Sequence, residues 1–293
     1  MGRGDLSDLE WARLEPHLPK NAGRGGRWKS HRKVINGILF RQRTGIPWRD
    51  LPARFGSWKT VHDRHRRWSA DGTWERILRA VQADADTEGR IDWIMVSVDS
   101  ASCRAHQLAA GARTAAPRIP GRRGRPVHHR SDEALGRSRG GLTCKIHLAG
   151  EGGRRPLAFV ITPGQWGDAP QLIPVLERIR VPCPAGDQPR TRPDHLGGDT
   201  AYSSRRNRRS LRRRQIKRTI PERKDQRANR QRRGSAGGRP TGFNKTIYKR
   251  RNEVERTINA LKGFRAVATR FDKRAYSFHG TVAVAAIRLW LRS

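Results

Sequence analysis

A surplus of 37 positive charges is the strongest constraint on what this chain can fold into. Lys and Arg number 63 against 26 Asp and Glu in 293 residues. A compact domain with that charge repels itself unless a polyanion neutralises it, and the abundant cellular polyanion is nucleic acid. An ordinary metabolic enzyme is excluded as the default reading. Hydrophobic residues make up 34%, and most of the nine Trp lie in the first hundred residues, which argues for a folded chain over a basic disordered tail. At about 100–200 residues per domain, one large or two modest domains are expected.

Other classes drop out. No apolar run reaches the roughly 18 residues of a membrane span, and the most apolar stretch, 281–291, is interrupted by Arg288. Met1-Gly-Arg-Gly-Asp5 lacks the apolar core of a secretory signal. Cys103, Cys144 and Cys183 form no Cys-x-x-Cys pair. That argues against a disulfide framework or zinc site and for reduced thiols in a cytoplasmic protein.

Residues 1–86 read as a small all-α domain. Ser7-Asp-Leu-Glu10 fits a capping box for a first helix that stops at Pro16 or Pro19. A second helix is expected from Ser30 to Gly45, a third from Ser57 and a fourth after Thr73. In the third, Trp58, Val61, His65 and Trp68 share one face and Lys59, Arg66 and Arg67 the other. Such a helix suits a helix-turn-helix unit entering a DNA major groove. A merely solvated basic face is the alternative. His65 is expected to be packed rather than a ligand.

A polar, acidic hinge is expected at 83–90, and a second domain over 91–293. Residues 91–100 read as a buried strand ending in Asp99. An acid at the carboxyl end of a central strand points where ligands and metals bind, although a loop-capping Asp is the plainer reading. Segment 142–148 alternates and reads as a strand, and 156–162 reads as the next across a Gly-containing turn. Asp168 is expected to cap the following helix. A short strand ends in Asp199, a basic helix follows from 203, and 217–221 reads as an edge strand. Basic loops are expected at 101–139 and 222–246, and a helix from Thr246. The order implies a mixed α/β sheet rather than alternating βα units.

Acids beside nucleic acid oppose binding unless a cation intervenes. Two Asp at strand ends plus an acid from a later helix would suit Mg²⁺, which takes oxygen ligands and shares its shell with phosphates. Two such ions can activate a nucleophile and stabilise a leaving oxygen. On one continuous helix at about 100° per residue, Tyr248, Arg251, Glu255 and Lys262 form a strip beside an apolar stripe of Ile247, Val254, Ile258 and Leu261. Glu253 falls opposite, toward solvent. Arg251 and Glu255 could equally be an i,i+4 surface pair.

Tyr248-x2-Arg251-x3-Glu255-x6-Lys262 resembles the Tyr-Arg-Glu-Lys signature of bacterial DDE transposases in the insertion-sequence-four and -five groups. Similar motifs are Gly45-Ile-Pro-Trp-Arg-Asp-Leu-Pro52, Val98-Asp-Ser100, Gly140-Gly-Leu-Thr-Cys-Lys-Ile-His147, Gly198-Asp-Thr-Ala-Tyr202 and Ala268-Thr-Arg-Phe-Asp-Lys273. They follow in order along nearly the whole chain. Ser203 and Asn244 depart from positions more often acidic.

The resemblance implies an RNase H-like catalytic domain behind a helix-turn-helix-like one. It implies catalytic and metal-binding Asp99, Asp199 and Glu255, with two Mg²⁺ ions that Mn²⁺ can replace. Tyr248, Arg251 and Lys262 would contact the transposon end, adding to Lys59, Arg66 and Arg67 as DNA-binding residues. The expected activity is cleavage at terminal inverted repeats and strand transfer to target DNA. The expected state is a homo-oligomer on paired ends, cytoplasmic, nucleoid-associated and without a membrane partner. The competing reading is a non-catalytic nucleic-acid binder, or a decayed transposase that binds ends without cutting.

Overall fold

The computed structural model describes residues 2, 4–20, 28–112, 133–183 and 188–292. Helix α1 (Asp8–Leu14) begins with the expected capping box. Ser7 Oγ accepts from the Glu10 amide at 3.2 Å, and Glu10 Oε2 accepts from the Ser7 amide at 2.7 Å. Helix α2 (His31–Thr44) is capped by Ser30 and ends where Gly45 turns left-handed, φ 71°. Helices α3 (Trp58–Ala70) and α4 (Thr73–Thr87) follow.

The hinge expected at 83–90 is corrected: α4 remains helical to Thr87. Its Gln82 donates to the carbonyls of Pro156 and Leu157, which fixes the helix to the second half of the chain.

Strand β1 (Val96–Ala105) starts later than expected, and Asp99 lies inside it rather than at its end. Residues 91–95 are held off the sheet by local bonds. Asp92 accepts from the Ile94 amide, and Trp93 Nε1 donates to Asp86 at 2.6 Å. A short helix α5 (Gln107–Ala110) closes β1. Of the basic loop expected at 101–139, residues 113–132 lie outside the described residues; the remainder contributes to β1, α5 and β2 (Gly136–Ser138).

Strands β3 (Gly141–Glu151) and β4 (Pro156–Pro163) form the expected hairpin. Helix α6 (Leu172–Glu177), strand β5 (His195–Gly197), helix α7 (Arg205–Arg213) and edge strand β6 (Lys217–Thr219) complete the middle of the chain. β3 pairs antiparallel with β1 and β4, while β1, β5 and β6 run parallel. This is the mixed sheet that the RNase H-like expectation requires.

The loop expected at 222–246 contains an exposed helix α8 (Lys224–Arg232). The single helix expected from Thr246 is two: α9 (Lys245–Lys249) and α10 (Asn252–Lys262), broken at Arg250 and Arg251. Asn244 caps α9 through the amides of Thr246 and Ile247. A short helix α11 (Arg265–Ala268) and strand β7 (Thr269–Arg270) lead to α12 (Ala275–Leu291).

Helix α12 is buried almost all round. Gln42 donates to the Thr281 carbonyl, His65 Nε2 meets Thr281 Oγ1 at 3.2 Å, and Arg288 pairs with Glu10 at 2.5 Å. The N-terminal helices and the C-terminal helix therefore share one hydrophobic core.

Candidate active site

Strand register brings the two aspartates together. β1 and β5 pair in parallel at Val96–Leu196 and Ser97–Gly197, then β5 ends. Continuing that register by two residues sets Asp199 opposite Asp99. Asp199 turns the chain away by capping a 3-10 turn, accepting from the Ala201 amide at 2.9 Å. β1 runs on without its β5 neighbour, so the site lies at the carboxyl end of β5, the edge at which open α/β sheets bind ligands.

Side chains alternate across a strand. Asp99 pairs with Leu148 and Ser100 with His147, so Asp99 and Ser100 face opposite sides of the sheet. Helix α10 covers the Asp99 side through buried Val254, Thr257 and Leu261. Arg251, at the start of that helix, donates to Asp99 Oδ2 at 3.2 Å and pairs with Glu255 Oε1 at 2.9 Å. The structure thus brings Asp99, Asp199, Arg251 and Glu255 together, with Glu255 linked to Asp99 through the guanidinium.

Burial pushes the Asp99 carboxyl above the usual range, and the charge of Asp199 adds to this. The Ser100 amide and Arg251 oppose it. Burial works against the charge of Arg251, but Asp99 and Glu255 outweigh it and raise its pKa. Among the described residues, no three His, Cys, Asp or Glu side chains converge closely enough to hold a metal ion. The reason is visible: a guanidinium already stands between two of the three acids. The donors themselves, all carboxylate oxygens with two aspartates side by side, fit a hard divalent ion.

The helix phase expected for Glu253 is corrected. Its side chain is 24% exposed against 45% for Glu255. It pairs with Arg250 at 3.1 Å, and Arg250 also holds Asp92 at 2.5 Å. The break between α9 and α10 removes the continuous helix on which the strip was drawn. Tyr248 sits on α9 against Phe243, ring centroids 5.0 Å apart. Lys262 ends α10.

Asp168 is a second correction. It makes no side-chain cap bond. Its Oδ1 instead accepts from Ser100 Oγ at 2.8 Å and from Lys145 Nζ at 3.0 Å. Tyr202, almost wholly buried, is close enough to Asp168, Asp99 and Asp199 that burial and their charges hold its phenol well above the ordinary range. The Asp199-Thr-Ala-Tyr202 spacing was the available signal for Tyr202; nothing local pointed to Asp168.

On α3, Val61, His65 and Trp68 are buried and Lys59, Arg66 and Arg67 exposed, as expected. Arg64 is buried too, stacked between Trp28 (4.6 Å) and Trp68 (5.2 Å). Trp28, Lys29, Arg66 and Arg67 line an open groove along this helix. No helix among the described residues is long and apolar enough to cross a membrane.

The family described as "Transposase DDE domain" matches residues 91–290. The chain belongs to this transposase family. Residues 6–78 match a second family, "Putative transposase of IS4/5 family". Parts of the chain are also similar to individual proteins. "Uncharacterized protein y4sN" of Sinorhizobium fredii is 37% identical over 111 residues, 38% of this chain and 84% of that one. "Insertion element IS402 uncharacterized 16.2 kDa protein" of Burkholderia cepacia is 39% identical over 114 residues, 36% of this chain and 76% of that one. "Putative transposase for insertion sequence element IS402" of the same organism is 33% identical over 136 residues, 46% of this chain and 56% of that one.

Proposed function

We propose that this DDE transposase binds the terminal inverted repeats of its own insertion sequence, cuts there in a metal-dependent reaction, and joins the freed 3′ end to target DNA. The observation that carries this is the meeting of three acids where β5 leaves β1, with Asp99 and Asp199 in adjacent register and Glu255 one arginine away. A chain with 37 excess positive charges has no use for three acids beside phosphate unless cations sit between them.

Asp99, Asp199 and Glu255 would hold two Mg²⁺ ions, with Mn²⁺ able to substitute. When bound, such a pair activates a nucleophilic oxygen and stabilises the leaving oxygen of a phosphodiester. Arg251, Tyr248 and Lys262 bind the backbone of the transposon end next to the scissile bond. Arg251 must leave Asp99 and Glu255 to do so. Residues 1–86 supply end recognition through Lys59, Arg66 and Arg67, and 91–293 the chemistry. The working state is a homo-oligomer on paired ends in the nucleoid.

The test is a labelled transposon end, with the wild type and the Asp99→Asn and Asp199→Asn variants. Both variants should lose cleavage while keeping end binding, because each removes a metal ligand and a charge that repels phosphate. Wild-type cleavage by either variant, or by the native protein in excess chelator, refutes the site.

A further inference from the structure

We infer that Asp168 is a positioning residue for Asp99, acting from the opposite face of the sheet through Ser100. The inference rests on the reading of Asp99 as a metal ligand.

Among the described residues, the β1 edge facing β5 carries no ladder partner beyond Ser97 until Arg104 meets β7. The stretch that holds Asp99 is therefore hydrogen-bonded to β3 on one edge only. An open edge must be fixed by other contacts if a carboxylate on it is to keep its place. Ser100 supplies one on each face. Its backbone amide donates to Asp99 Oδ1 at 2.7 Å, and its hydroxyl donates to Asp168 Oδ1 at 2.8 Å. The two bonds run from one residue to two acids on opposite sides of the strand.

Asp168 is itself anchored. Lys145 Nζ, on β3, donates to the same oxygen at 3.0 Å and to the Trp166 carbonyl at 3.0 Å. The buried His147 ring lies 3.6 Å from that oxygen. The Lys145 side chain is 15% exposed and that of Asp168 24%, so the pair is shielded enough to hold one geometry. Ser100 is thereby tied to β3 and to the turn before α6, while Asp99 stays free to face α10. Tyr202, from the second aspartate motif, lies against the same group. The half-buried Asp168 group thus lies beside both aspartate motifs. Supporting shells of this kind orient the ligands they touch.

The experiment uses the full chain with Asp168→Asn, Ser100→Ala, the double variant, and Asp99→Asn for reference. Cleavage of a labelled end is measured across a Mn²⁺ titration, alongside end affinity and thermal melting. Asp168→Asn and Ser100→Ala should each lower cleavage about 10–100-fold at low Mn²⁺, in the range for lost outer-shell partners. Excess Mn²⁺ should restore part of that loss, and end affinity should not change. The double variant should be no worse than the worse single one, because both cut the same link. Metal that binds the folded state also stabilises it, so the melting curves, and not the metal response, identify a merely unstable variant. Ser100→Ala removes one oxygen and keeps the strand, so it decides the matter if Asp168→Asn melts early. Wild-type cleavage by Ser100→Ala at all Mn²⁺ concentrations, or losses that multiply in the double variant, overturns the inference. Wild-type cleavage by Asp99→Asn would instead overturn the parent reading.

Discussion

Replacing Arg251 with Gln should make the DNA-free protein bind divalent metal more tightly. The guanidinium neutralises Asp99 at 3.2 Å and Glu255 at 2.9 Å, which are two of the three proposed ligands. A metal entering before DNA has to displace both contacts. The side chains are 19–45% exposed, so each bridge is screened. Partly exposed pairs contribute about 0.5–1 kcal/mol each, so two cost an incoming ion about 1–2 kcal/mol. At 1.4 kcal/mol per tenfold, the variant should bind Mn²⁺ roughly 5–30-fold more tightly. Glutamine keeps polar bulk at the start of α10 and removes only the charge. Mn²⁺ binding to DNA-free protein, followed by electron paramagnetic resonance, reads this without any cleavage. End binding should weaken in the same variant, because Arg251 is also assigned to a phosphate. Unchanged or weaker Mn²⁺ binding would refute the idea that Arg251 holds the cation position until DNA arrives.

Glu255→Gln should lose cleavage by several orders of magnitude in a gel assay, whereas Glu253→Gln should cleave within a few fold yet melt earlier, by the roughly 0.5–1 kcal/mol of its Arg250 pair. Joint Lys59→Ala and Arg66→Ala substitution in the full chain should weaken end binding in a competition assay; an unchanged preference for end DNA would put recognition elsewhere. His65 offers a pH test, since burial drives its pKa down to about 4 from 6.5. Above pH 6.5 it is neutral in both states. Between 6.5 and about 4 only the unfolded chain takes the proton, so stability falls with pH by about 3 kcal/mol at most. Denaturant unfolding at pH 7 and 4.5 should show a smaller loss for His65→Gln than for the native protein.

Local features of the fold were legible because their causes are local. The Ser7–Glu10 capping box, the Gly45 stop and the hairpin of β3 and β4 depend on residues within a few positions of one another. The two aspartates stand in short motifs, Val98-Asp-Ser100 and Gly198-Asp-Thr-Ala-Tyr202, but their expected place at strand ends held only for Asp199, just beyond β5, and not for Asp99, inside β1. What was not legible depends on partners far along the chain. Asp168 looks like a helix cap, since a proline and an apolar periodicity follow it; its partner Ser100 is 68 residues away. The break between α9 and α10 leaves no Gly or Pro behind. It falls at Arg250 and Arg251, which reach 158 and 152 residues back to Asp92 and Asp99. Two arginines drawn to different acids cannot both stay in phase with one straight helix.

The domain boundary follows the same logic. Residues 281–291 are apolar on every side, and a helix of that kind has to be covered all round. The sheet can cover one side only. The rest has to come from other helices, and those with complementary faces are α3 and α4, through Val61, Trp68, Trp74 and Val81. Arg288 carries the same message in charge. A buried arginine has to be paired or hydrogen-bonded, and Arg288 is paired with Glu10, 278 residues away on the first helix. Glu10 therefore serves two ends of the chain at once, closing the capping box of α1 and neutralising α12. On the proposed function, end recognition by residues 1–86 and chemistry at β1 would rest on one shared core, because Val61 and Trp68 of α3 pack in the same hydrophobic cluster as Val96 and Val98 of β1.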